Sequence, residues 1–213
     1  IAPSDKLGEG ETDIDVEESG GLAPDAKLRV YISPNQTNAN FIDGAEAVAS
    51  ENIADTVSIS WGQPELDYYA EPSQGIASST FVMDAFHDVF LEMGIQGQSV
   101  YVATGDSGAY DTVRGCPNSG TPSAKNPVCN APYSVDSPAN DPAVTGAGGT
   151  TVPVTLNLRS GAVISVKQEQ AWSWNWIYQQ TAAQGHPIAL SDLFSTGDGG
   201  GVKTLLGRPE GHL

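Results

Sequence analysis

Apolar positions recur along this chain with two periods. Short apolar runs at Leu28 to Ile32, Thr56 to Ser60 and Ser99 to Ala103 read as buried strands. Between them a segment from about Asn40 to Ser50 is amphipathic. A longer helical run, capped by Ser78 or Ser79, sets Phe81, Val82, Ala85, Phe86, Val89, Phe90 and Met93 on one stripe and stops near Gly94. Strands alternating with helices of this length predict βαβ units and a parallel sheet with helices on its faces. Ligands of such sheets bind beyond the carboxyl ends of the strands. Trp61-Gly62 follows the second strand and Gly105-Asp106-Ser107-Gly108 the third, so both loops are expected to open on the same edge.

Beyond Gly108 the chain turns rich in proline and glycine as far as Thr151. Val152 to Leu158 and Val163 to Val166 then form a hairpin pattern around Arg159-Ser160-Gly161. Trp172, Trp174 and Trp176 fall on one side of an extended segment, a pattern that favours packing against the sheet over a binding role. A glycine run from Gly197 to Gly201 precedes Val202.

Composition narrows the classes. A chain of 213 residues suits one domain with a substantial core. No apolar run approaches the roughly 20 residues that span a bilayer, so no membrane role is expected. A net charge of −17 argues against a nucleic-acid partner and suits an acidic medium, where protonation of carboxylates reduces self-repulsion. With no initiator Met or signal peptide at Ile1, the chain reads as cut from a longer precursor. Cys116 and Cys129 bracket a loop that a disulfide would close for about 3 kcal/mol, which suggests an oxidising compartment, though two free thiols fit as well. Asn35-Gln36-Thr37 is a glycosylation sequon.

The acidic stretch before Pro24 carries the chemistry. Glu11 and Asp15 stand four residues apart. A helix would hold them about 5 to 6 Å apart at Cβ and couple their proton affinities. A strand would hold them about 13 Å apart and break that coupling. Ile14 and Val16 alternate with acidic residues as along a strand, and the seven acids between Asp5 and Glu18 also read as a plain solvated face. For Asp106 a turn role between glycines competes with a catalytic one, and for Trp61 simple packing at a strand end competes with binding. Gly-Asp-Ser-Gly also surrounds the nucleophile of chymotrypsin-like peptidases, but those are all-β and need a catalytic histidine. His87, His186 and His212 sit in no triad or metal-ligand motif.

Taken together, the motifs resemble those of the sedolisins, or serine-carboxyl peptidases, a family with the subtilisin fold. They are Glu11-x-x-x-Asp15 with Leu22-Ala23-Pro24, Ser58-Ile59-Ser60-Trp61-Gly62, Gly105-Asp106-Ser107-Gly108, Ser137-Pro138-Ala139, Gly148-Gly149-Thr150 and Gly199-Gly200-Gly201-Val202, in the family's order. The resemblance implies a subtilisin-like α/β fold, mostly parallel in its central sheet, with helices on both faces and incomplete at both ends. It further implies Glu11 as general base on a helix, Asp15 as its partner and Asp106 in the oxyanion hole. Ser60, Trp61, Gly62 and Gly105 would line the course of a bound peptide. At low pH a histidine is protonated and useless as a base, whereas a carboxylate is poised to accept a serine proton.

The family's Gly-Thr-Ser nucleophile motif does not occur in this chain, and Val202-Lys203 replaces an aromatic-or-valine plus serine pair. The resemblance therefore implies that residues 1–213 are the central fragment of one peptidase domain. A companion chain would bring the serine and the family's calcium site, and the assembled enzyme would cut peptides in a secreted or lysosome-like acidic compartment. The rival reading is a sedolisin-like binding or regulatory protein without catalysis. A cation-binding role for Asp5 to Glu18 is a weaker third, since the stretch lacks the Asp-x-Asp-x-Asp-Gly loop that calcium favours.

Overall fold

The computed structural model describes residues 6–34, 37–65, 68, 80–111, 133–189, 192–193 and 195–201. The expected Ser78 or Ser79 cap, the Asn35 sequon, Cys116 and Cys129, Val202-Lys203 and His212 lie outside these residues.

Helix α1 (Lys6–Leu22) takes up the acidic stretch. It closes with the amide of Ala23 on the carbonyl of Ser19 at 2.9 Å, just before Pro24. Helix α2 (Asn38–Glu51) starts at Thr37, whose hydroxyl accepts the amide of Asn40, and ends at Asn52 in the left-handed region. Strand β1 (Thr56–Ile59) and the two-residue β2 (Gln63–Pro64) follow.

Helix α3 (Thr80–Gln96) runs past Gly94, the expected stop. Its end is set by Gly97, at φ +87°, with amide bonds from Gly97 to the Gly94 carbonyl and from Gln98 to the Met93 carbonyl. Glycine adopts this conformation without Cβ strain, whereas Gly94 is merely tolerated inside the helix. The buried stripe is Val82, Met83, Phe86, Val89, Phe90 and Met93. Phe81, expected on that stripe, is 68% exposed, and Met83 takes the inner position instead.

Strands β3 (Ser99–Ala103), β4 (Asp136–Ser137) and β5 (Thr145–Ala147) come next. The principal sheet has the order β1-β3-β5 and is parallel throughout, with Val57 beside Val100 and Val102 beside Gly146. Helices α2 and α3 pack on the face carrying Val100 and Val102 and form the main core with Ala45, Val48 and Ala49. Burial of these side chains drives the packing, at roughly 1.5 to 3 kcal/mol for each large one. Strand β4 pairs antiparallel with β2.

The remaining elements are β6 (Thr150–Thr151), β7 (Val154–Asn157), β8 (Val163–Val166), β9 (Gln170–Ala171) and helix α4 (Asn175–Ala183). Strands β7 and β8 form the expected hairpin, turning through Gly161 at φ +91°. Two expectations fail here. Leu28 to Ile32 joins no strand and is not buried, with Leu28, Val30 and Ile32 between 47 and 59% exposed. Trp176 does not continue an extended ribbon with Trp172, because the chain enters α4 after Trp174. That helix is held from outside by two glutamines one turn apart. Gln180 exchanges two bonds with the backbone of Ser165 and Gln184 two with that of Val163, so the side chains act as a strand along the edge of β8.

Candidate functional site

Three elements converge beyond the carboxyl ends of β1 and β3. Because α1 is a helix, Glu11 and Asp15 share a face, and the coupled arrangement of the two open alternatives is the one present. Ser60, immediately after β1, donates its hydroxyl to Asp15 Oδ1 at 2.7 Å and ties the helix to the sheet edge. Desolvation of a side chain that is still largely exposed, then the negative charges of Asp15 and of Asp106, in that order, push the Glu11 carboxyl above its ordinary range. The charge on the loop after β3 therefore reaches Glu11.

The loop bearing Asp106 is fixed from the distant glycine run. Gly197 donates its amide to the Asp106 carbonyl at 3.0 Å, Gly199 donates to the Gly105 carbonyl at 3.1 Å, and Gly108 donates to the Gly197 carbonyl at 3.0 Å. Thr104 adds a hydroxyl bond to Asp198 Oδ1 at 2.7 Å. With its backbone held at both flanks, Asp106 projects an exposed side chain at the edge.

Trp61 stacks on Phe41 with ring centroids 5.9 Å apart, and Phe41 meets Phe86 of the core edge-on. The residue is nonetheless 37% exposed at the edge. Gly62 and Gly105 flank Asp136, a buried carboxylate that sequence reasoning overlooked. A Cβ on Gly62 would come within 2.5 Å of Asp136 Oδ2, and Gly105 adopts φ +95°, so neither position accepts a side chain without displacement. Its place just before Ser137-Pro138-Ala139 was the one signal available for Asp136. Asp198, hidden in a glycine-rich run, offered less.

Every predicted site residue among Glu11, Asp15, Ser60, Trp61, Gly62, Gly105 and Asp106 lies at this one edge. His87 and His186 do not. His87 Nδ1 pairs with the Asp141 carboxylate at 3.0 Å on α3, away from the loops. His186 is engaged through its amide with the carbonyl of Thr181 at the end of α4.

Comparison with known proteins agrees in sequence and in fold. No family model matches the chain. Kumamolisin of Bacillus sp. (strain MN-32) is 34% identical over 167 residues, covering 78% of this chain and 24% of kumamolisin. Sedolisin of Pseudomonas sp. (strain 101) is 30% identical over 155 residues, covering 71% of this chain and 23% of its own. The chain thus spans about a quarter of the length of these curated relatives. The solved structure of Pseudomonas sedolisin, a serine-carboxyl proteinase complexed with two molecules of pseudo-iodotyrostatin, superposes with a TM-score of 0.55 at 22% identity. The match covers 92% of this chain and 58% of that one, and gives the fold as subtilisin-like α/β. Sequence and fold together relate this chain to the sedolisin family.

Proposed function

We propose that residues 1–213 are the central part of an acid-acting serine-carboxyl peptidase and supply its carboxylates, while a companion chain carrying Gly-Thr-Ser supplies the nucleophile. The observation that carries this reading is the meeting of Glu11, Asp15 and Asp106 at one sheet edge, with Asp15 anchored by Ser60.

In this reading Glu11 takes the proton of the serine hydroxyl as the oxygen attacks the peptide carbonyl. Asp106, in its protonated form, donates a hydrogen bond to the developing oxyanion, a contribution of about 2.7 to 4 kcal/mol. Glu11 then returns its proton to the leaving amine as the C–N bond breaks and an acyl-serine forms. Water, activated by the same carboxylate, releases the acid and restores the serine. A raised Glu11 proton affinity suits this double duty, since the group must both accept and give up a proton in acid. Ser60, Trp61, Gly62 and Gly105 form the wall along which the peptide lies.

The open face of the parallel sheet supports the companion chain. Ser58, Tyr101 and Thr145 form one row across β1, β3 and β5, and all three are exposed. Parallel sheets are normally covered on both faces, so this row is ready to receive further structure. In this reading the companion also holds the calcium. Among the described residues no three histidine, cysteine, aspartate or glutamate side chains group as ligands, and no step here runs through the metal. A secreted or lysosome-like acidic compartment is the corresponding location. Among the described residues no helix is long and apolar enough to cross a membrane.

The test is peptide cleavage by the native preparation at about pH 3 to 5, where carboxylates titrate, with intact-mass analysis to find the Gly-Thr-Ser chain. Glu11→Gln, Asp15→Asn and Asp106→Asn are each expected to lower kcat/KM at least about a hundredfold. A near-normal rate in any variant removes that residue from the mechanism. Absence of cleavage by the complete assembly leaves a sedolisin-like binding or regulatory protein.

A further inference from the structure

Residues 104 to 106, which follow β3, are gripped by residues 197 to 199, three against three. Gly197 and Gly199 donate their amides to the carbonyls of Asp106 and Gly105, and between them Asp198 Oδ1 accepts the Thr104 hydroxyl at 2.7 Å. Two of these bonds are main chain to main chain, so only the third depends on a side chain. Asp198 is itself tied to the neighbouring ribbon, its amide donating to the Trp172 carbonyl at 2.9 Å.

The carboxylate is closely seated. A Cβ on Gly148 would collide with both of its oxygens, and one on Gly199 would run into the Thr104 carbonyl, so glycine at each position admits the approach. Thr104 is also held from β5, where its amide donates to the Ala147 carbonyl at 3.2 Å. That carbonyl stands 3.4 Å from the Thr104 hydroxyl, a poorer acceptor distance than the one Asp198 offers. Gly105, next in the chain, has φ +95° and a backbone with little preference of its own. The direction in which Asp106 leaves the sheet is therefore set by the grip on its neighbours.

We propose that Asp198 is a positioning residue for Asp106: by holding Thr104 just ahead of the permissive Gly105, it fixes the course on which the Asp106 side chain meets the oxyanion. The proposal rests on the peptidase reading above, in which Asp106 is the oxyanion donor. Asp198 acts through Thr104 and Gly105 and touches no reacting atom in this role. A displacement of about 1 Å in such a group costs roughly a hundredfold in rate. Because the bond from Asp106 forms in the transition state, the loss falls on kcat and spares KM.

The experiment uses the native preparation, with rates expressed per titrated active site so that unfolded protein does not count. Asp198→Ala is expected to lower kcat about ten- to hundredfold with KM within about twofold. Asp198→Asn keeps an acceptor oxygen and is expected to recover most of that loss. Thr104→Val is expected to behave like Asp198→Ala, and Thr104→Ser to retain most of the rate. In an Asp106→Ala background, Asp198→Ala is expected to add less than about threefold, since the group it aims is already gone. Losses that multiply there, or a full kcat in Asp198→Ala, overturn the positioning role, and a hundredfold loss in Asp106→Ala alone leaves the peptidase reading standing. A near-normal rate in Asp106→Ala sinks that reading and the role with it. Should the Asp198 variants fail to fold, Thr104→Val against Thr104→Ser decides. Amide hydrogen exchange at Gly197 and Gly199 is expected to quicken in Asp198→Ala and much less in Asp198→Asn. Unchanged exchange in the alanine variant overturns the grip whatever the rates.

Discussion

Glu11 is the residue whose environment says most about the site. Its proton affinity is raised first by burial, then by Asp15 and then by Asp106. Carboxyl NMR titration is therefore expected to show the Glu11 pKa falling in Asp15→Asn and falling less in Asp106→Asn; an unchanged value in both would mean that the three groups do not share a field. The sign for stability follows from the same shift. A raised value means that the folded chain binds this proton more tightly than the unfolded chain. The stabilisation is complete below the unfolded value and is lost as pH rises through the higher folded one. Stability assigned to Glu11 is thus expected to decline above the ordinary glutamate range, and Glu11→Gln to remove that decline in urea unfolding followed against pH. The residue types at 11, 15 and 106 were legible from their motifs, whereas Asp136 and Asp198 were not. Each of those two gains its place only because glycines far away in the chain leave room for a carboxylate.

Among the elements, α3 does most to hold the edge in place. It connects β1 to β3, buries its stripe under the sheet, and reaches the turn after β4 through His87 and Asp141. Asp141 is buried and accepts the amide of Ala143 at 2.7 Å as well as the bond with the ring of His87. Asp141→Ala leaves both groups without their acceptor and is expected to cost about 2 to 4 kcal/mol in urea unfolding. A loss below about 0.5 kcal/mol would show the pair to be ornamental, as exposed ion pairs often are. Helix α3 was readable because an apolar stripe of such length has one reading. Its boundary was misread because two glycines compete for the stop and only Gly97 meets the geometry. Helix α4 was missed because Asn-Trp-Ile-Tyr-Gln-Gln-Thr-Ala-Ala is short and mixed in propensity, and its helical state depends on glutamine bonds to β8.

For the whole molecule, the sheet's two faces differ. One is closed by α2 and α3, and the other presents Ser58, Tyr101 and Thr145 to solvent. If a companion chain completes the domain, Tyr101, 44% exposed in this chain, is expected to be protected from hydroxyl-radical labelling in the native preparation and labelled in the isolated chain. Equal labelling in the two would exclude the sheet face as the docking surface. The strand assigned to Leu28 through Ile32 belongs to this scale as well. An alternating apolar run becomes a strand only when a neighbour pairs with its backbone, and no described element does so.

The order of βαβ units, the parallel sheet and the identity of the edge loops were determined by local pattern, because periodicity and chain order alone dictate them. The motifs likewise carried the sedolisin resemblance. The choice between helix and strand for the Glu11 to Asp15 stretch belonged to tertiary structure. Its acidic residues fit either period, and α1 is pinned where Ser60 meets Asp15 across 45 residues of chain. The fixing of the Asp106 loop was likewise a tertiary outcome, since Gly197 and Gly199 bond its backbone from a distant part of the chain that only folding brings near.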